Sequence, residues 1–216
     1  MMSRVLSDIY SPYIITMITA TMPMTLLEEI ILPTDWGKFR MLAFGDDQQE
    51  RMPHMAIVHP DLDITQPVTV RIHSECITGD LFHSKRCDCG PQLDYSMRQI
   101  LKDKGIVLYL RQEGRGIGII NKMKAYNLQD LGIDTHQANL DLGLEADGRR
   151  YDAALEMLEH LEVKQIRLLT NNPDKLRAFD HSPVSVVERL PILIDPSEEN
   201  AKYLETKKSK FGHFID

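Results

Sequence analysis

The chain has 216 residues, 43% of them hydrophobic and 26% charged, with a formal net charge of −7. That length suffices for one sizeable core, and the negative balance argues against non-specific nucleic-acid binding, which depends on neutralising many phosphates. No run of about eighteen apolar residues is present, so no membrane span is expected. Only three cysteines occur, two of them one residue apart, a poor disulfide framework that points to a reducing, cytoplasmic setting.

Residues 1–25 read as a weakly ordered extension. They hold five methionines, one basic group (Arg4) and a mildly apolar run from Tyr13 to Met24. A secretory signal wants a stronger apolar core and a small-residue cleavage site. From Leu26 the chain becomes regular. Segments rich in β-branched and apolar residues predict strands over 29–32, 38–44, 54–58 and 68–73, with proline-containing and polar breakers between them.

Leu93, Met97, Ile100 and Leu101 recur at helical spacing and predict a helix over 91–104, ended by Gly105. A short buried strand, IVLYL, follows over 106–110. The spacing of Ile117, Ile120, Ala125, Leu128 and Leu131 predicts a helix over 116–132, and 151–161 predicts another. A strand over 165–169 ends at Thr170-Asn171-Asn172-Pro173, with the proline placed to open a helix. The last core strand is expected over 184–190 and a lysine-rich amphipathic helix over 200–211. An all-strand front followed by alternating helices and strands predicts a mixed α/β (α+β) fold, with one domain over 26–216.

All three cysteines fall in VRIHSECITGDLFHSKRCDCGPQL, residues 70–93. Cys76, Cys87 and Cys89 supply three thiolates, a donor set that suits zinc. Catalytic zinc sites usually have three protein ligands and an open position, where a bound water is acidified. In an extended segment Cys87 and Cys89 would point to the same side. Three ordinary buried thiols are the bland alternative, but Glu75, Asp80, Lys85, Arg86 and Asp88 are not core company. A closed structural site with His73 or His83 as fourth ligand is the other.

Three further stretches suit anions. RQEGRGIG, from Arg111, follows a strand and opens a helix, where glycines and free N–H groups admit a phosphate. It lacks the GK[ST] of a Walker loop. Asp147-Gly148-Arg149-Arg150 pairs a carboxylate with arginines, a combination useful in phosphoryl chemistry. Thr170–Lys175 follows a strand end, where α/β folds place ligands. Each has a plainer reading as a structural turn or a solvated loop.

Taken together, HSECITGDLFHSKRCDCGPQL, LRQEGRGIGIINKMKAYNLQDLG, DTHQANLDLGLEADGRRY and RLLTNNPDK closely resemble the GTP cyclohydrolase II family, from about Leu26 to the C-terminus. The resemblance implies conversion of GTP to 2,5-diamino-6-(5-phosphoribosylamino)pyrimidin-4(3H)-one, formate and diphosphate, the first step of riboflavin biosynthesis. It implies one zinc per chain on Cys76, Cys87 and Cys89, magnesium on the triphosphate, and a homodimer. Arg71, Ile72, His73, Ser74, Glu75, Gln92, Glu113, Gly114, Arg115, Thr135, Thr170 and Lys175 match positions that line the GTP site. Asp147 matches the proton acceptor, Arg149 an arginine nucleophile proposed to take up the guanylyl group, and Tyr126 the tyrosine needed for loss of formate. Arg150 is assigned no role. A paralogue that stops at a formamidopyrimidine nucleotide, or a non-catalytic zinc-stabilised nucleotide-binding module, would share much of this pattern.

Overall fold

Seven strands and seven helices are found among the described residues of this computed structural model, which are 24–133, 135–145, 147–194 and 201–214. The predicted extension over 1–25 therefore lies almost wholly outside the described residues. The strands are β1 (Thr25–Thr34), β2 (Gly37–Gly45), β3 (His54–Val58), β4 (Val68–Ser74), β5 (Ile106–Leu110), β6 (Gln165–Leu169) and β7 (Ser185–Leu190). The helices are α1 (Ile77–Asp80), α2 (Cys89–Asp103), α3 (Gly118–Asp130), α4 (Thr135–Asp141), α5 (Asp152–His160), α6 (Pro173–Arg177) and α7 (Ala201–Phe211). All strands join one sheet in the order β1-β2-β3-β5-β4-β6-β7. The β1-β2-β3-β5 half is antiparallel and the β5-β4-β6-β7 half parallel, the predicted mixed α/β class.

Period-two alternation divides the central strands between two cores. Ile106, Leu108 and Leu110 of β5 pack with Ala154, Met157 and Leu158 of α5. Val107 packs on the other side with Phe39 of β2 and Met97 and Ile100 of α2. In β4, Val68, Val70 and Ile72 join the α5 side. Thr69, Arg71 and His73 accordingly emerge towards α2. Thr69 Oγ1 donates to Asp103 at 3.0 Å, and an Arg71 guanidinium nitrogen donates to Gln92 Oε1 at 2.7 Å. His73 stacks on Tyr109, its register partner, with ring centroids 5.5 Å apart. The side chain of Ile72 belongs to the core, where burial contributes roughly 1.5–3 kcal/mol, and does not line the cleft.

Other differences have local causes. α2 begins at Cys89 rather than at 91, so the Cys87–Cys89 segment is a turn entering a helix and not an extended run. The helix predicted over 116–132 is preceded by a 3-10 turn, Glu113–Gly116, broken by left-handed backbone at Gly114 (φ 62°) and Arg115 (φ 64°). β7 is an edge strand with mostly exposed or half-buried residues, not a core strand. β1 extends through Pro33, which an edge strand tolerates because one side of its backbone needs no partner. Within the predicted 200–211 helix, Asn200 lies outside the described residues.

Candidate active site

The parallel strands β4, β5 and β6 end on the same side of the sheet, and the chain leaving each of them enters one cleft. Open-sheet α/β folds place ligands at such strand ends. Ser74 ends β4 and Glu75 and Cys76 follow it, Glu113–Arg115 follow β5, and Thr170–Lys175 follow β6. The first turn of α2 adds Cys89 and Gln92, and α3 adds Lys122 and Tyr126. Together they surround a space of roughly 950 Å³ including its open mouth.

Cys76, Cys87 and Cys89 converge in the wall of this cleft, with their sulfurs all within 4.8 Å of one another. The Sγ atoms of Cys76 and Cys87 are 3.6 Å apart. That is close to the separation of about 3.8 Å expected for two thiolates on one tetrahedral zinc with bonds of about 2.3 Å. No histidine or carboxylate joins the set among the described residues, which leaves the closed arrangement with His73 or His83 without support. The backbone is shaped to the triad as well. A Cβ on Gly79 would lie 2.9 Å from Cys87 Sγ, 2.9 Å from Cys89 Cβ and 3.1 Å from Cys76 Sγ. Three soft donors with space for a fourth, non-protein ligand fit a zinc ion.

Hydrogen bonds from Cys87 and Cys89, together with the Lys122 ammonium, hold the Cys76 thiol far below its usual range. The charge at Cys76 in turn pushes Cys87 and Cys89 up. Lys122 Nζ donates to Cys76 Sγ at 3.0 Å and to Glu113 Oε1 at 2.8 Å. Burial pulls Lys122 down, but the Cys76 charge and the Glu113 hydrogen bond outweigh it and keep the ammonium charged. Glu113 Oε2 also accepts from Ile77 N at 2.6 Å, so one lysine and one glutamate pin α3 and the turn after β5 to the cysteine loop.

Asp80 organises the other flank. Its carboxylate accepts from the backbone N of Cys76 at 3.0 Å and from Tyr109 O–H at 2.9 Å, and lies 3.0 Å from His73 Nε2. Burial holds the His73 imidazole below its usual pKa despite this partner. Tyr126 Oη sits 3.5 Å from Thr78 Oγ1, with the Arg86 guanidinium 5.0 Å from its ring centroid. Burial pushes the Tyr126 phenol up to about 12, so it remains a proton donor near neutrality.

Positive charge is concentrated at the inner end of the cleft. Arg71 and Lys175 are only 5% and 4% exposed. Burial lowers Arg71 to about 10, and burial with Arg71 and Arg149 nearby draws Lys175 well below its usual value. Lys175 Nζ donates to the Ile72 carbonyl at 2.8 Å, and Arg71 to the Leu169 carbonyl at 3.2 Å. Buried like charges are costly unless an anion joins them. Arg149 grips Asp147 with two nitrogens, its Nε lying 2.8 Å from Oδ1. Burial alone would raise Asp147, but these bonds hold it below the usual carboxylate range. Gly148 N donates to the Arg115 carbonyl at 3.0 Å, which ties this loop to the turn after β5.

A model of the family described as GTP cyclohydrolase II matches residues 26–191. The chain belongs to the GTP cyclohydrolase II family. Among curated relatives, the GTP cyclohydrolase-2 of Buchnera aphidicola subsp. Acyrthosiphon pisum is 45% identical over 193 residues, covering 89% of this chain and 99% of that one. The GTP cyclohydrolase-2 of Histophilus somni (strain 2336) is 48% identical over 193 residues, covering 88% of each chain. The riboflavin biosynthesis protein RibBA of Bacillus cereus (strain G9842) is 48% identical over 189 residues, covering 87% of this chain and 47% of that one. The chain thus spans about half the length of relatives of the RibBA kind and most of the length of the GTP cyclohydrolase-2 relatives.

Within this family member, Arg71, His73, Ser74, Glu75, Gln92, Glu113, Gly114, Arg115, Tyr126, Arg149, Thr170 and Lys175 all line the one cleft with the three cysteines. Asp147 stands behind Arg149, held by the ion pair. The side chain of Thr135, at the first position of α4, lies outside the described residues. Lys122, Asp80, Lys207 and His213 were not anticipated. Of these, Lys122 alone carries a sequence signal, standing one helical turn before Tyr126.

Proposed function

We propose that this cleft hydrolyses GTP, releasing formate and diphosphate and leaving the diaminopyrimidine ribosyl phosphate, as the first step of riboflavin biosynthesis. The observation that carries the reading is the joint placement of a three-thiolate group, the buried Arg71 and Lys175 and the half-buried Arg149 in one cleft. The first suits the imidazole ring of guanine and the second a triphosphate. Three free thiols and no helix long and apolar enough to cross a membrane, among the described residues, support a reducing cytoplasmic setting. Exposed apolar residues just beyond α1 (Leu81 and Phe82) and on α3 (Ile120 and Met123) support a homodimer. Residues 26–216 are read as the catalytic domain and 1–25 as an extension.

Zinc held by Cys76, Cys87 and Cys89 would supply Lewis acidity and an activated water at the purine C8. The remaining roles belong to side chains. Arg71 and Lys175 hold the phosphates by charge, in a setting with little competing water. Lys122 keeps its positive charge beside Cys76 and offsets thiolate charge at the metal group. Tyr126, protonated at neutral pH, donates a hydrogen bond to the ring opening above the thiolates. Arg149 faces the α-phosphate, and Asp147 orients it and accepts its proton. Magnesium arrives on the triphosphate.

Zinc-loaded protein incubated with GTP and Mg²⁺ is expected to release formate and diphosphate together, and untouched GTP would overturn the assignment. The presence of Tyr126 in the cleft favours the complete reaction over a halt at the formamidopyrimidine, which product mass distinguishes as one retained CO. Lys122→Met is expected to slow formate release by about 10–100-fold, the usual cost of losing a group that supports a metal ligand. An unchanged rate would remove Lys122 from the metal's surroundings.

A further inference from the structure

α7 lies beyond residues 26–191, the span that the family model matches, yet it reaches the centre of the site. Lys207 of α7 is 8% exposed in a helix whose neighbouring lysines, Lys208 and Lys210, are exposed. Its ammonium donates to Asp88 Oδ1. Asp88 is the residue between Cys87 and Cys89 and is 3% exposed. Its other oxygen accepts from Gln92 Nε2 at 2.5 Å, and Gln92 Oε1 accepts from Arg71. A continuous relay, Lys207–Asp88–Gln92–Arg71, buried except at the half-buried Gln92, therefore runs from the C-terminal helix past two thiolates to the inner cation.

The end of the chain is anchored around the same cleft. Phe214 N donates to the Asn171 carbonyl at 2.9 Å, beside Thr170. The Arg189 guanidinium lies 4.9 Å from the Phe214 ring centroid. Lys207 and His213 both line the cleft. Without Lys207, a buried carboxylate between two metal ligands would lose the charge that contacts it directly, which is unfavourable.

We infer that Lys207 is a positioning residue of the metal centre. By clamping Asp88 it fixes the Cys87–Cys89 turn and the Gln92–Arg71 contact, so retention of the metal is coupled to docking of the C-terminal helix. The inference rests on the zinc part of the proposed function. It extends the working site to a segment that the sequence presents only as a lysine-rich amphipathic helix.

The test is zinc transfer from the loaded full-length protein to a chromophoric chelator, with no nucleotide present. Lys207→Met is expected to release zinc about 10–100-fold faster, the scale of lost support to a metal ligand. Lys207→Arg should release it close to the wild-type rate. Lys208→Met, on the exposed side of the same helix, should leave release unchanged. Asp88→Asn reads the contact from the other side and carries the test if Lys207→Met does not fold. Because the two changes break one contact, Asp88→Asn combined with Lys207→Met should release zinc far more slowly than the product of the single effects. Effects that multiply, equal acceleration by Lys208→Met, or a protein that takes up no zinc would each overturn the coupling. Loaded protein that passes this test but leaves GTP untouched would sink the substrate assignment alone.

Discussion

Cys87→Ser is expected to abolish formate release while leaving diphosphate release from GTP detectable. Cys87 is 4% exposed, and serine fits its space, so the fold should survive. What is lost is a soft ligand, because a serine hydroxyl neither ionises nor binds zinc as a thiol does. Metal Lewis acidity supplies several kcal/mol of stabilisation to a developing oxyanion. Loss of about 4 kcal/mol corresponds to roughly a thousandfold in rate. In the proposed reaction the α-phosphate is served instead by Arg149, whose side chain is held by Asp147. Separate assays of formate and diphosphate decide the matter. Formate release at the normal rate would remove the three thiolates from the ring-opening step.

Gly79→Ala should be nearly as damaging, although residue 79 bears no functional group. The added methyl would approach two sulfurs and a Cβ of the three cysteines at 2.9–3.1 Å, closer than carbon and sulfur tolerate. Overpacking of this kind costs about 1–3 kcal/mol in a rigid interior. Here the strain falls on the ligands themselves, whose distances must hold to within about 0.2 Å for a good metal site. The expected result is protein that folds but retains zinc at least about 10-fold less tightly, read as metal content after dialysis against a weak chelator. Full metal content with normal activity would show that the loop can shift, and would demote the glycine to a simple turn residue.

These cases show what was legible in the chain. The three cysteines were readable because thiols beside acids and bases are unusual anywhere else. Their geometry was not, because the turn into α2 depends on where that helix begins, and a helix start two residues early changes which way Cys89 faces. Which side chains of β4 face the cleft was not legible for a related reason. The run Arg71–Glu75 is contiguous in sequence, but alternation sends Ile72 into the α5-side core while Arg71 and His73 reach the cleft. α1 and α4 span 4 and 7 residues, too few turns for an apolar period to declare itself.

Polar partnerships at long range were the least legible. Lys122 meets Cys76 across 46 positions, and Lys207 meets Asp88 across 119. Each lysine reads locally as an ordinary solvated helix residue, and only the sheet topology brings it to its partner. Tyr126 behaves in the same way. Its spacing suits a core-facing helix position, and only the family resemblance singled it out. The strands fared better, since β3, β5 and β6 fall at their predicted limits. Short buried strands between clear breakers leave the backbone few alternatives.

Gathering every sulfhydryl of the chain into one cluster has a practical consequence. The protein contains 3 cysteines and no others, all of them in the metal group. A thiol-specific colorimetric reagent therefore meets no background from elsewhere in the molecule. Protection of its sulfurs reports occupancy of the centre, and their unmasking reports its loss, in the native chain and without an engineered label. The same economy exposes all the thiols of the chain to oxidants at a single point. One disulfide formed within the cluster would consume two ligands and strand the third.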